Sequence, residues 1–386
     1  MKKVSLILAI IALLFATSCK KNNSVDDNSS KNECFYFEAV EPGAVIGMIK
    51  NERGEFEVGL EYSTDKSSWQ SFVVSQTSVT LAIAGDRVYI RAKDKNTSID
   101  KTFTATKKVK VGGNIMYLLD GTGATTDFDP ATNGYAFNYL FDGMTTLTDA
   151  SALSLPAMTL SEYCYHRMFN GDSLLTAAPK LPATTLAYCC YQSMFFDCVS
   201  LTESPELPAT KMATTCYSEM FYGDTSLTTA PALPAKELAV NCYRDMFFGC
   251  SSLKEAPVLP AKELADNCYE GMFNCCISLA AAPALPATTL KNNCYRSMFY
   301  GCSSIKAAPA LPATKLVSGC YKSMFSSCRS LQSIDVSFTE WDDAEEATDN
   351  WSYNLANEGT FTCPAALDTT IRDNSHIVYQ WTIKTK

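Results

Sequence analysis

Residues 242–261 read CYRDMFFGCSSLKEAPVLPA, and variants of this stretch fill the middle of the chain at a fixed interval. The motif Cys-Tyr-x-x-Met-Phe begins every 26 residues, at Cys164, Cys190, Cys216, Cys242, Cys268, Cys294 and Cys320. A weaker copy, AFNYLF, occupies residues 136–141. Equal intervals of this kind identify a stacked repeat protein, and they predict a solenoid of about eight units.

The spacing of apolar residues within one unit predicts a helix. Cys242 and Met246 are four residues apart, and Tyr243 and Phe247 lie beside them. Residues three and four apart share one face of an α-helix, so the four side chains would line one side of about two turns. Gly249 stands where a left-handed residue would end that helix. A unit this small buries such side chains only by stacking on its neighbours.

After the predicted helix, each unit has a short extended stretch and then two prolines. Prolines lack the backbone donor and block helix continuation, so they predict a bend at each corner of the coil. Stacking of the extended stretches predicts a slab with one strand-bearing face, at about 4.8 Å per unit.

The segment 33–112 has the pattern of an all-β module. Seven short apolar runs follow one another, and several of them alternate apolar with polar residues. Turn signals such as Glu41-Pro42-Gly43 separate the runs. This arrangement predicts a β-sandwich-like module, and no catalytic group of residues stands out within it.

The first nineteen residues have the composition of an export signal. Two lysines precede an apolar run over residues 4–15, and residues 16–18 (ATS) lead to Cys19. The run is too short to span a bilayer as a permanent helix. A cysteine in this place resembles a bacterial lipobox, which implies a lipid on Cys19; ordinary secretion with Cys19 incidental is the alternative. Residues 20–32 are polar and predict a flexible tether.

Composition excludes several classes of function. The 386 residues carry a formal net charge of −9, whereas a nucleic-acid-binding protein needs a basic face. The two histidines, His166 and His376, are too few for mechanisms that use several imidazoles. Motifs of zinc proteases, serine hydrolases and phosphate-binding loops do not occur in the sequence. The sequence therefore predicts neither catalysis nor a cofactor or metal.

The cysteines of the array form two columns. The first begins each motif, and the second comprises Cys198, Cys250, Cys276, Cys302 and Cys328. In two units Asp172 and Asp224 replace the second cysteine, yet the first persists. The first column therefore does not need the second as its partner, which favours buried free thiols. Disulfides are the alternative in an exported protein, while zinc lacks its usual CxxC pairs and histidines.

A family resemblance rests on these units. Residues 246–253 (MFFGCSSL), with APVLPA at 256–261, resemble the BspA-type leucine-rich repeats of bacterial surface antigens, in a longer 26-residue form. The resemblance covers about residues 115–334. It implies a cell-surface protein that binds host extracellular-matrix proteins or other cells. It supplies no catalytic residues, and it indicates architecture better than ligand.

The sequence and the resemblance together predict an α+β protein. A β-sandwich-like module over 33–112 would precede a leucine-rich-repeat-type α/β solenoid of about eight units over 113–336. Residues 337–386 would form a small C-terminal cap. We expect a monomeric lipoprotein of the cell envelope, displayed at the outer membrane and attached only through its N-terminal lipid.

The leading functional hypothesis is a surface-anchored interaction protein that binds an extracellular protein or glycan. A repeat array that keeps its apolar columns and varies other positions suits a macromolecular ligand. A solvated face without a ligand is the alternative interpretation of the variable positions. The predicted contacts follow the aliphatic residue of each extended stretch: Thr176, Thr202, Thr228, Lys254, Lys306 and Gln332.

Two further hypotheses belong to other classes. The protein could be a carbohydrate-binding accessory of a surface glycan-uptake system, with Trp341, Trp351 or Trp381 stacking on sugars. Hydrophobic capping of the last unit is the alternative role for these tryptophans. A glycoside hydrolase with two carboxylates on the array is the third hypothesis.

Overall fold

The computed structural model describes residues 33–50, 58–96, 98–99, 101–342 and 346–386. The predicted signal peptide, the lipid-attachment residue and the tether lie outside these residues. Within them, no helix has the length and apolar character that crossing a membrane requires.

The N-terminal module is built from two antiparallel sheets. Each of the seven predicted runs overlaps a strand, and an eighth strand follows them. One sheet has the order β4-β3-β6-β1-β8 and continues into a ninth strand, and the other has the order β5-β2-β7. The strands are β1 (Tyr36–Ala39), β2 (Ala44–Lys50), β3 (Leu60–Ser63), β4 (Gln70–Phe72), β5 (Val79–Leu81), β6 (Arg87–Ala92), β7 (Lys101–Ala105) and β8 (Val109–Asn114).

Phenylalanine rings fill the space between the two sheets and continue into the first repeat. The Phe103 ring on β7 lies 5.1 Å from that of Phe37 on β1 and 6.3 Å from that of Phe72 on β4. It also stacks at 6.1 Å on Phe141, which belongs to the first repeat. The module and the solenoid therefore share one hydrophobic core.

Backbone hydrogen bonds also join the module to the first repeat. Strand β8 pairs in parallel with β9 (Leu147–Ser154), the extended stretch of that repeat. The Phe103 amide of β7 donates to the Leu140 carbonyl at 2.8 Å. The extended stretch and the turn segment of the first repeat thus both bond to the module. The module acts as the N-terminal cap that a solenoid requires.

The predicted repeat helix is wrong, and with it the α+β class and the α/β solenoid. The described chain is almost entirely strands and loops, and its one α-helix, α1 (Tyr117–Asp120), has four residues. In the unit analysed above, Asn241, Asp245 and Gly249 have φ values of 56°, 52° and 73°. A left-handed residue at every fourth position cannot belong to a right-handed helix. The left-handed Gly249 was predicted correctly, but it follows a series of turns.

Alternate amides in this segment have different partners. The Cys242 amide closes a turn by donating to the Ala239 carbonyl at 3.2 Å, whereas the Tyr243 amide donates to Cys268 of the next unit at 3.1 Å. The alternation continues along the segment and recurs from unit to unit. A helix would use every amide within its own turns, but here half of them join neighbouring units. We call this segment, in which turns alternate with bonds to the next unit, the ladder of turns. Because a short isolated helix is marginal in water, the ladder of turns is the more stable arrangement.

The predicted mutual burial of the units is confirmed. Tyr243, Met246 and Phe247 are at most 1% exposed, and corresponding rings stack along the array. The Phe247 and Phe273 rings, for example, lie 5.7 Å apart at an interplanar angle of 4°.

The array continues into the C-terminal segment. Left-handed residues recur at Glu346, Asn350 and Asn354, and the Phe325 amide donates to the Trp351 carbonyl at 3.0 Å. A parallel three-stranded sheet closes the other side of the coil. Its strands are β10 (Ser333–Asp335), β11 (Thr360–Cys363) and β12 (Thr382–Thr385).

Sixteen cysteines lie in the described residues, and all of them are free thiols. This agrees with the prediction from the two cysteine columns. The second-column thiols have a common partner. The Cys250 Sγ donates to the Phe221 carbonyl of the preceding unit at 3.0 Å. Burial raises the pKa of Cys250 well above its usual value, so the thiol stays protonated.

The ladder of turns makes a prediction opposite to that of a helix. We expect Asn241→Ala to be less stable than Asn241→Gly by about 1 kcal/mol, because a side chain disfavours the left-handed region. In a helix, glycine would instead be the worse residue by about 1 kcal/mol. Urea denaturation of both variants gives the order, and greater stability of the alanine variant would contradict the turns.

The thiols make a second prediction. In the folded fragment 33–386, iodoacetamide should modify Cys275, the one described cysteine that is only half-buried, and Cys275→Ser should remove that signal. After denaturation without a reductant, mass spectrometry should find all sixteen thiols alkylated. Protected cysteines in that sample would instead indicate disulfides.

Candidate functional site

The predicted contact residues lie where extended stretches of successive units run side by side, and these stretches pair two by two. Amides donate to the preceding unit at 2.9–3.2 Å from Thr176 to Thr148, Thr228 to Thr202, Ala280 to Lys254 and Gln332 to Lys306. Within the part of the chain that the structure describes, no backbone hydrogen bond joins stretch 176–182 to 202–208, or 228–234 to 254–260. Continuous strands therefore form only near the two ends of the array.

The first unbonded pair of stretches encloses a groove of about 590 Å³. Residues 176–182 form one wall, and residues 202–206 with Pro208 form the other. Prolines occur in both walls, and because proline has no amide proton, it cannot contribute a donor to cross-unit pairing. Lys180 and Glu206 place charges at the exposed edge of the groove.

A second groove lies two units further along. It has a volume of about 450 Å³ and is lined by residues 228–230 and 254–257. A smaller space of about 250 Å³ extends the same gap along residues 230–234 and between Pro257 and Pro260. The two grooves recur with the pairing of the stretches, which gives the face a repeat of two units.

Four of the six predicted contacts line these grooves. Thr176 faces Thr202 across the first, and Thr228 faces Lys254 across the second. Thr176, Thr202 and Lys254 are exposed, and Thr228 is half-buried. Two of the hydroxyls already have structural partners, because Thr176 Oγ1 donates to Thr148 at 2.9 Å and Thr228 Oγ1 donates to Thr202 at 3.2 Å.

The remaining two contacts, Lys306 and Gln332, are not brought together with the others. Both are exposed but line neither groove, and the Gln332 amide donates to the Lys306 carbonyl at 2.9 Å, as the Ala280 amide does to Lys254 at 3.2 Å. Sequence analysis missed the proline walls and the acidic residues Glu203 and Glu255. The prolines predict corners, and their missing donors also limit how many backbone bonds neighbouring stretches can form.

The turn face carries a second row of partly exposed side chains that the sequence pattern does not single out. The rings of Phe196, Tyr222 and Phe248 stack at 4.5 and 4.4 Å. Beside them, Glu270 lies between Arg244, at 3.6 Å, and Arg296, at 3.8 Å. Exposed ion pairs of this kind contribute little stability, so the row mainly sets the charge of this face.

The C-terminal tryptophans are tied into the end of the array. Trp351 is fully buried, and its indole donates to the His376 carbonyl at 2.8 Å. The Trp381 indole donates to Ala356, and the Trp341 indole to Asp368, each at 2.8 Å. This arrangement fits hydrophobic closure of the last coil better than a platform for sugars.

Comparison with models of known protein families finds no match, and comparison with curated proteins finds none either. The resemblance to BspA-type repeats therefore stays a prediction.

Proposed function

We propose that the protein is a non-catalytic binding protein of the cell surface. Its solenoid would hold an extracellular macromolecule across the grooves between paired units. The observation that carries this proposal is the alignment of variable, exposed residues with two grooves on one face of an otherwise repetitive, buried array.

An extended polypeptide is the ligand class that fits the grooves best. Their walls hold proline, alanine and threonine and contain no aromatic ring for sugar stacking. The unpaired stretches also leave the amides of Thr202 and Lys254 without a cross-unit partner among the described bonds. Main-chain groups of this kind bind extended peptides in many recognition domains. A glycan ligand is the alternative outcome of the test below.

Attachment to the membrane is part of the same proposal. The export signal and the lipobox-like Cys19 favour an outer-membrane lipoprotein with the solenoid exposed. The resemblance to BspA-type surface antigens supports the same location and the adhesin-like role. We propose that the protein acts as a monomer, with several grooves available on one chain.

The test is a ligand screen followed by a matched pair of substitutions. The fragment 33–386 is applied to immobilised matrix proteins and glycans. For each hit, Lys254→Glu should weaken binding at least about tenfold, which corresponds to about 1.4 kcal/mol, because it reverses a charge in a groove wall. Lys306→Glu makes the same charge change at a position that lines neither groove and should leave the affinity unchanged. Affinities are measured by surface plasmon resonance.

Equal losses in the two variants would contradict the grooves as the site and would indicate nonspecific attraction to the charge of the face. Hits confined to glycans would favour the carbohydrate-binding accessory. Thermal unfolding of both variants checks that each remains folded.

A further inference from the structure

Two acidic side chains occupy positions that belong to buried thiols in the other units. In the second cysteine column, each thiol donates to the carbonyl of a phenylalanine in the preceding unit at 2.9–3.1 Å. Asp172 and Asp224 take the same column positions. By position, the carbonyls available to them are those of Phe141 and Phe195.

Neither carboxyl group is exposed, and neither has a hydrogen-bond partner. Asp172 and Asp224 are 0% exposed, and all four of their carboxyl oxygens are buried without a partner. A carboxylate can only accept hydrogen bonds, so it cannot replace a thiol that donates to a carbonyl. A neutral carboxylic acid carries one donor and can do so. An unpaired buried charge would also cost far more than a neutral group.

The ionisable groups that face these two residues are acids. Asp142 acts on Asp172, and Asp197 acts on Asp224. The buried thiols nearby, Cys198 beside both aspartates and Cys250 beside Asp224, have raised pKa values and stay neutral. Nearby carboxylates disfavour further ionisation.

The pKa of each residue shifts accordingly. Burial raises the pKa of Asp172 and of Asp224 well above the usual value for aspartic acid, and the neighbouring carboxylates act in the same direction. The nearby backbone amides of Met144 and Cys198 do not reach hydrogen-bonding geometry with the carboxyl oxygens, and they lower the pKa values only in part.

We infer that Asp172 and Asp224 are neutral acids in the folded protein, that each donates a hydrogen bond to the preceding unit, and that their ionisation loosens the two coils that carry them. These coils form one wall of each groove, because residues 176–182 follow Asp172 and residues 228–230 follow Asp224. At mildly acidic pH these walls would therefore stay well ordered, and at higher pH they would loosen. This inference goes beyond the proposed function and does not depend on it.

The direction of the pH dependence follows from proton binding. In the unfolded chain the two residues titrate near pH 4, and in the folded protein they titrate at higher pH. Between these limits the folded state binds more protons, so stability is full below about pH 4 and falls as the pH rises. Each such group can raise the unfolding constant up to about tenfold per pH unit.

The experiment is urea denaturation of the fragment 33–386 at pH 5 and pH 7. The double variant Asp172→Asn with Asp224→Asn keeps a side-chain donor that does not titrate. Between the two pH values, the wild-type unfolding constant should rise at least about tenfold more than that of the double variant. Other acids, such as Asp245, whose pKa burial raises to about 6, are present in both proteins and cancel in the comparison.

Two further arms keep the test decisive. If the asparagine variant does not fold, Asp172→Cys with Asp224→Cys restores the residue of the other units and should show the same loss of pH dependence. Cys250→Asp should add a third neutral acid and steepen the dependence. Equal pH dependence in the wild type and the folded variant, or no steepening with Cys250→Asp, would overturn the inference. Because no ligand is used, this failure is distinct from failure of the proposed function.

A local readout accompanies the global one. At pH 7, amide hydrogen exchange in residues 172–176 and 224–228 should be faster in the wild type than in the double variant, whereas the intervening unit around Cys198 should change less. Uniform exchange differences along the array would contradict local loosening.

Discussion

One backbone interaction supports the whole array: an amide in each unit donates to a carbonyl about one repeat further along, as Tyr243 does to Cys268. This bond takes half of the amides in the segment, so the segment cannot form a helix. It also requires left-handed residues at every fourth position, which return the chain to the same direction after each turn. The stacked phenylalanine and tyrosine columns follow from the register that these bonds impose.

An array held together in this way has two unsatisfied ends, and both are covered. At the start, β7 and β8 of the N-terminal module meet the first coil, and Phe103 extends the core into it. At the other end, Trp351 and the β10-β11-β12 sheet complete the last coil. The module thus contributes a structural cap, because its edge strands supply the missing backbone partners.

The extended side of the coils is less constrained than the turn side, and this difference creates the candidate site. Two prolines in most of these stretches remove donors and limit cross-unit pairing. The remaining bonds join the stretches two by two and leave grooves between the pairs. Sequence analysis identified Thr176, Thr202, Thr228 and Lys254 as variable exposed positions, because the neighbouring columns stay aliphatic. It could not separate them from Lys306 and Gln332, which line neither groove, since only the packing of neighbouring stretches decides where a groove forms.

The repeat period, the buried columns, the left-handed Gly249 and the strands of the N-terminal module follow from the sequence alone, because burial and turn preferences are local and recur in every unit. Whether the Cys-Tyr-x-x-Met-Phe segment forms a helix or turns was decided by the tertiary structure. A spacing of four residues suits both, and only a neighbouring coil offers the carbonyls that favour turns. The state of Asp172 and Asp224 was likewise decided by packing, since only full burial without a partner separates a neutral acid from an ordinary surface aspartate.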